Sequence, residues 1–307
     1  GVIDMIVTAA SLAALQVGFK KNFQDAFTAT RPEADFTKVA TVITSTSRSE
    51  TYGWLGKFPK MREWVGDRVI KDMEAHGYSI TNKDFEATVG VDRNDIEDDN
   101  LGIYAPLFQE MGSSAAQQPD DLTFGLVAQG RTQTCYDGQY FFDTDHPSFN
   151  ENGDVTAVSN IDASGAAENP WWYLLDVTRP LKPMIFQERK KPEFIAHVDP
   201  KNSDHVFKKK EFLYGADARC NVGFGLWQMA YASNAALNGD NLDGAIEAMR
   251  SLRDSNGRPL GIKPSLLVVG PKLRSAANKT VKVMLGEGGA SNANYQAVDV
   301  LDTDWVA

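Results

Sequence analysis

The sequence predicts an α+β fold, and three observations carry that prediction. Segments 9–28 and 93–130 repeat apolar residues at spacings of three and four. The stretch from Trp172 to Leu213 breaks into short strand-like runs. The last third alternates amphipathic helices with short apolar strands. With 307 residues, 42% hydrophobic and 23% charged, the chain has the means to bury a sizeable core and is not disordered as a whole.

Leu12, Leu15, Phe19, Phe23 and Phe27 fall on one helical face, and Thr8 or Ser11 offers the capping oxygen. Residues 29–50 are polar and irregular and read as an extended arm or a surface loop. Residues 51–58 hold Tyr52, Trp54, Leu55 and Phe58, interrupted by Gly53 and Gly56. Residues 85–92 alternate apolar and polar with period two, the mark of a half-buried strand, and the two segments are expected to pair. Between them lies a charged excursion, 60–83, containing Trp64, Val69, Ile70 and Tyr78. Connections of that length are usually functional, and a lone two-stranded ribbon needs a surface to lie against.

Residues 93–130 give the strongest helical signal. Asn94, Asp95, Glu97, Asp98 and Asp99 supply capping oxygens and negative charge for a helix start. Leu101, Tyr104, Phe108, Met111 and Ala115 then recur on one face. Pro119 predicts a kink or break, Asp120–Asp121 a restart, and Gly130 a stop. Residues 147–170 are poor in apolar groups and read as a loop or boundary. Strand-like runs follow at 172–175, 184–188, 194–198 and 206–213, and Pro180, Pro183, Pro192 and Pro200 mark several as edge strands. Val222, Phe224 and Leu226 alternate with glycines as another strand. Leu242, Ala245, Ile246, Met249 and Leu252 make an amphipathic helix, and Asn256–Gly257 signals a turn. Leu266–Val269 is a short buried strand, Pro271 opens a helix, and Val298 and Val300 close with a strand.

The charge balance is 31 basic against 41 acidic residues, a net charge of −10. A dedicated reader of nucleic acid carries a basic surface, so that class is excluded. No run approaches the ~20 apolar residues of a membrane-spanning helix, and the first residues carry no signal-peptide pattern. Cys135 and Cys220 lack CxxC spacing. His76, His146, His197 and His205 form no zinc-protease pair. There is no nucleophile elbow and no Walker loop, and Gly223-Phe224-Gly225 reads as a strand. Asp143, Asp145 and His146 are a candidate metal or acid–base trio; the ordinary reading is Asx-type turn bonding before Pro147. Cys135 reads as a buried or turn cysteine rather than a nucleophile. The acidic run 95–99 reads as a helix cap, and the basic runs 189–191 and 208–210 as solvated strand ends. No catalytic motif survives, and no cofactor or metal is expected. What remains is long exposed extensions on a globular body, which suit a protein whose partners are copies of itself.

Several strings point to a family. They are Thr51-Tyr52-Gly53-Trp54-Leu55-Gly56 with Arg62-Glu63-Trp64, and Ala75-His76-Gly77-Tyr78 with Phe85-Glu86. Glu97-Asp98-Asp99-Asn100-Leu101-Gly102-Ile103-Tyr104 follows, then Tyr136-Asp137-Gly138-Gln139 with Phe142-Asp143 and His146-Pro147, and Phe186-Gln187-Glu188-Arg189. In that order they resemble the major head subunit of Mu-like tailed phages and prophages, over nearly the whole chain.

The resemblance implies the tailed-phage capsid fold first seen in phage Hong Kong 97. Its expected parts are an N-terminal arm (1–50), an extended β-hairpin loop (51–93), a peripheral domain with a long spine helix (94–235) and an axial domain (236–307). In many such proteins the axial-type motif precedes the WYL-type strand; here Trp172-Tyr173-Leu174 comes first. The implied function is a structural, non-enzymatic shell protein of the virion, assembling as pentamers and hexamers around double-stranded DNA that it does not read by sequence. Implied partners are a scaffold or protease, a portal and decoration proteins, with assembly in the host cytoplasm and no membrane. Trp54, Phe58, Trp64 and Tyr78 are the expected intersubunit contacts, since aromatic residues are enriched at interfaces. Two alternatives stand beside this reading: a nanocompartment shell of the same fold, and a metal-dependent hydrolase using Asp143, Asp145 and His146.

Overall fold

A computed structural model describes residues 7–30, 36–58, 77–98, 101–198 and 209–307. Helix α1 (Ala9–Thr30) buries Leu12, Phe19 and Phe23, members of the apolar stripe. Thr8 and Ser11 cap it reciprocally: the Ser11 amide donates to Thr8 Oγ1 at 3.1 Å and the Thr8 amide to Ser11 Oγ at 2.8 Å. Beyond it, the described part of 29–50 is not an extended arm or a plain loop. It forms α2 (Phe36–Val39), β1 (Ala40–Thr44) and the start of β2 (Ser49–Thr51). Phe36, Val39 and Ala40 are buried, so this stretch belongs to the body.

β3 (Ser79–Thr81) and β4 (Lys83–Asp92) follow. The expected pairing of 51–58 with 85–92 does not occur. β2 pairs with β3, and β4 pairs antiparallel along its full length with a later strand, β10. Only Thr51 of the first segment is extended, because residues 53–56 turn and Gly56 takes φ +84°. A ten-residue alternating strand needs a partner of comparable length, and the fourteen-residue β10 pairs with it along its whole length.

The helix expected over 93–130 is two helices. α3 (Arg93–Glu97) is capped by Asp92, whose side chain accepts from the Asn94 amide. α4 (Ala105–Ala128) starts on Pro106 in its first turn, a position where proline is pre-organised. It runs through Pro119 without ending, because Phe108 and Met111 before the proline and Phe124 and Val127 after it are all buried. Packing along the whole helix outweighs the one hydrogen bond that proline removes.

Residues 147–170 are not simply a loop. They contain most of the hairpin β5 (His146–Phe149) and β6 (Val155–Val158), and then β7 (Ile161–Asp162). β8 (Trp172–Leu175) follows. The runs 184–188 and 194–198 then merge into one long strand, β9 (Met184–His197). Pro192 is tolerated because the β9–β10 register shifts beside it, between Asp217 and Cys220, and because β1 pairs β9 only as far as Glu188. β10 (Glu211–Phe224), β11 (Ala230–Ser233), α5 (Gly239–Arg250), β12 (Leu266–Val269), α6 (Arg274–Val281) and β13 (Asp299–Asp302) complete the chain.

Two larger sheets organise these elements. One is four-stranded, β1-β9-β10-β4, and the other five-stranded, β13-β12-β8-β11-β7. The five-stranded sheet takes strands from both sides of residue 235, so the expected division there runs through one hydrogen-bonded sheet. α5 packs on β11, and α6 on β12 and β13. A smaller core joins α1 and α4 to β9 and β10 through Phe19, Phe23, Phe108, Phe194 and Tyr214. The Phe19 and Phe108 rings stack at 4.3 Å. The main core spans the five-stranded sheet and reaches Tyr52, Ile80 and Phe186 at the root of the excursion.

Candidate functional site

The chain on either side of residues 59–76 forms a narrow ribbon. β2 and β3 pair over three residues, Ser49↔Thr81, Glu50↔Ile80 and Thr51↔Ser79. The Tyr52 amide extends the pairing to the Tyr78 carbonyl at 2.8 Å. Of the expected contact residues, Trp54 keeps 38% of its surface exposed, with its ring edge-on to Tyr52 at 5.7 Å. Phe58 and Tyr78 are half-buried and pack against the subunit's own core. Tyr78 Oη accepts the Phe224 amide at 2.9 Å, and burial pushes its hydroxyl up to about 12. Trp64 lies outside the described residues.

Sequence reasoning missed the polar residues beneath this ribbon. Gln187 on β9 is fully buried. Its Oε1 accepts the Tyr52 hydroxyl at 2.7 Å, and its Nε2 donates to the Ile80 carbonyl at 3.0 Å and to Asn82 Oδ1 at 2.8 Å. Asn82 Nδ2 donates to Ser45 Oγ and to the Ser47 carbonyl, both at 2.9 Å. Ser45 Oγ donates to Glu50 Oε1 at 2.9 Å, which also takes the Thr46 and Ser47 amides and the Ser47 hydroxyl. The Thr46 amide, with the Ser45 and Ser47 hydroxyls, holds the Glu50 carboxyl below its ordinary range. Gln187 and Tyr52 stand in the family strings Phe186-Gln187-Glu188-Arg189 and Thr51-Tyr52-Gly53-Trp54-Leu55-Gly56, but nothing in those strings shows that the two side chains meet.

A second polar centre lies in the main core. His146 Nδ1 donates to Asp137 Oδ2 at 2.7 Å, and the Cys135 thiol donates to Asp137 Oδ1 at 3.1 Å. The Gln139 amide also donates to Asp137 Oδ1, at 3.0 Å. Gly138 takes φ +86° in the turn that folds Asp137 toward both partners. The imidazole stacks on Trp227 at 4.1 Å, with its Nε2 3.3 Å from the Phe141 carbonyl. Burial alone would raise the Asp137 carboxyl; the hydrogen bond and charge of His146, with the Cys135 and Gln139 donors, bring it below its ordinary value. Burial, reinforced by Asp137, pushes the Cys135 thiol up, so it stays protonated and is not a nucleophile.

Among the described residues, Cys135, Asp137 and His146 form the one group of three potential metal ligands, their ligand atoms within 4.8 Å of one another. Both Asp137 oxygens are already engaged by donors, and the side chains are buried. The arrangement is a hydrogen-bonded staple across 135–146, with no open coordination position of the kind a catalytic metal needs.

The candidate trio Asp143, Asp145 and His146 is not brought together. Asp143 accepts the Tyr140 amide at 3.1 Å and the Thr144 amide at 2.7 Å, so its carboxylate is used in local backbone bonding, though neither bond is the two-residues-on Asx pattern expected. Asp145 is exposed, and His146 turns inward to Asp137. Asp95 accepts the Tyr104 hydroxyl, so part of the acidic run is used in local structure. Lys190 pairs with Asp217 at 2.9 Å and Glu193 at 3.2 Å, which fits a solvated strand face.

Comparison with known proteins places this architecture. Residues 12–306 match the family model described as Mu-like prophage major head subunit gpT. The chain is 49% identical over 294 residues to the major capsid protein of Escherichia phage Mu, covering 94% of this chain and 95% of that one. It is 47% identical over 281 residues to the Mu-like prophage FluMu major head subunit of Haemophilus influenzae, covering 90% of each. Among solved structures, a chain of the procapsid of bacteriophage JBD30 superposes with a TM-score of 0.85 at 53% identity, covering 97% of this chain and 100% of that one. A chain of the JBD30 capsid gives a TM-score of 0.77 at 41% identity, covering 98% and 100%. The four- and five-stranded sheets, the long α4 and the ribbon root are thus the framework of a known shell subunit, and the chain belongs to the Mu-like prophage major head subunit family.

Proposed function

We propose that this chain is the repeating structural subunit of an icosahedral phage or prophage head, assembling with copies of itself as pentamers and hexamers around double-stranded DNA. The observation that carries this reading is the full-length likeness to subunits of phage shells. The family role that supports this reading is structural; the Cys135 thiol is buried and protonated, and Asp143, Asp145 and His146 do not converge. Copies meet head to tail and close into rings, as heterologous contacts do when the rotation closes. The excursion rooted at β2 and β3 reaches a neighbouring copy, with Trp54 and Trp64 as contact residues; Phe58 and Tyr78 support it from the subunit's own side.

The arm corresponds to the segment before Phe36 and the extended loop to the chain between Tyr52 and Tyr78. The peripheral part corresponds to α1, α4 and the four-stranded sheet, and the axial part to the five-stranded sheet with α5 and α6. Scaffold or protease, portal and decoration proteins are the expected partners. Packaged DNA is tolerated by the inner wall rather than read, in keeping with the net charge of −10. The mature location is the phage head, with assembly in the host cytoplasm.

Negative-stain electron microscopy of the purified chain at low and high salt tests the reading. Closed shells, pentamers or hexamers are expected. Uniform monomers at both salts, with the head scaffold added as well, overturn it. Shells holding a protein cargo in place of DNA indicate a nanocompartment instead.

A further inference from the structure

The ribbon root at 49–52 and 78–82 is fixed from below as well as by its own short ladder. A ladder of three residue pairs is too short to hold its own orientation in water. Gln187 grips both roots of the ribbon from beneath: Tyr52 on the outgoing side at 2.7 Å, and Ile80 and Asn82 on the returning side at 3.0 and 2.8 Å. It is 0% exposed, and every hydrogen bond it makes from Oε1 and Nε2 goes to the ribbon root. An apolar side chain of the same length would fill the space equally well, so a buried amide here specifies geometry rather than adding bulk.

Gly223 on β10 provides a second, independent constraint. A Cβ there would lie 2.3 Å from Ile80 Cδ1, 2.7 Å from Ile80 Cγ1 and 3.0 Å from Tyr78 Oη. The Ile80 and Tyr78 side chains of the returning strand therefore occupy the space over Gly223, and a methyl group there displaces them. Asn221 Nδ2 holds the Thr81 carbonyl at 2.7 Å, and the Phe224 amide holds Tyr78 Oη at 2.9 Å, on either side of Gly223.

We propose that Gln187, with Asn82 and Gly223, is a positioning site for assembly: it fixes the geometry of the ribbon root at 49–52 and 78–82, and closure of the shell depends on that geometry. The inference rests on the shell reading above.

Hydrogen exchange and shell assembly, both measured on the full chain, test it. Gln187→Met keeps side-chain length and removes all three bonds. It should speed exchange at 49–52 and 78–82 at least tenfold more than at β12 and α5, and cut the yield of correctly sized closed shells at least tenfold. Tyr52→Phe removes one bond and should give a smaller change of the same kind, about threefold. Gly223→Ala removes no hydrogen bond, yet should give the same assembly defect by displacing Ile80. Where Gln187→Met fails to fold, the two milder variants decide. Equal acceleration of exchange throughout the molecule means a general stability role and overturns the proposal. A loosened root with normal shells overturns it too. A wild-type chain that forms no shells in the same assay overturns the shell reading instead, and exchange alone then decides whether Gln187 holds the root.

Discussion

Asp137 accepts from a thiol, an imidazole and a backbone amide at once. Its folded-state pKa lies below the ordinary 3.8. Between those two values the unfolded chain binds more protons than the folded one, so stability rises with pH there. The Asp137 contribution is therefore fully present above 3.8 and is lost as pH falls through the folded value. Denaturant titrations from about pH 6 to about pH 3 should show this loss in the wild type and a flatter curve in Asp137→Asn. At neutral pH the same variant should cost about 2–4 kcal/mol, because an amide presents a donor to partners that are themselves donors. Trp54 illustrates the opposite case. At 38% exposure its truncation to Ala should cost under ~1 kcal/mol in the isolated subunit. Shell yield at fixed concentration should nonetheless fall at least tenfold, as for an aromatic anchor at an interface.

At the scale of elements, the contact between α1 and α4 depends on one missing side chain. A Cβ on Gly112 would lie 2.3 Å from the Phe23 carbonyl and 3.1 Å from the Phe27 amide nitrogen, so the helix backbones touch there. Gly112→Ala should separate them at a cost of about 1–3 kcal/mol, read as faster amide exchange in residues 9–30 with the five-stranded sheet unaffected. The turn at Asn256–Gly257 shows how far local chemistry reaches unaided. Gly257 takes φ +73°, and Asp254 Oδ1 accepts the Asn256 and Arg258 amides at 2.9 and 3.0 Å. Asp254, Asn256 and Gly257 each announce a turn in the sequence. Pro119 and Pro192 do not follow their local rule, because α4 is held by buried residues on both sides of the first and the strand register shifts beside the second.

For the whole molecule, the net charge of −10 opposes bringing many copies together. Raising ionic strength from about 0.01 M to about 0.15 M shortens the screening length from ~30 Å to ~8 Å. Closed-shell yield should rise over that interval, as measured by light scattering and microscopy. Removing residues 60–76, which spares Tyr78 and Ile80 of the main core, should leave the two cores folded, with near-native circular dichroism, and abolish stable shells. Normal shells from the deleted chain would contradict the assignment of the extended loop.

Much of the fold was legible in the sequence because it depends on local periodicity. The α1 stripe, the alternation of β4, the apolar run of β8, the turn at Gly257 and the β12 strand each follow from spacing and side-chain chemistry within a few residues. The resemblance to the head-subunit family was legible in ordered strings such as Tyr136-Asp137-Gly138-Gln139. Partner choice was not: β4 pairs with β10 more than a hundred residues away. Nor were the side-chain centres. Gln187 meets Tyr52 across 135 residues of sequence, and Asp137 rather than Asp143 or Asp145 receives His146. Periodicity states which face of an element seeks burial. Only the folded chain decides which buried polar atoms lie within hydrogen-bonding reach, because that depends on where distant backbones cross.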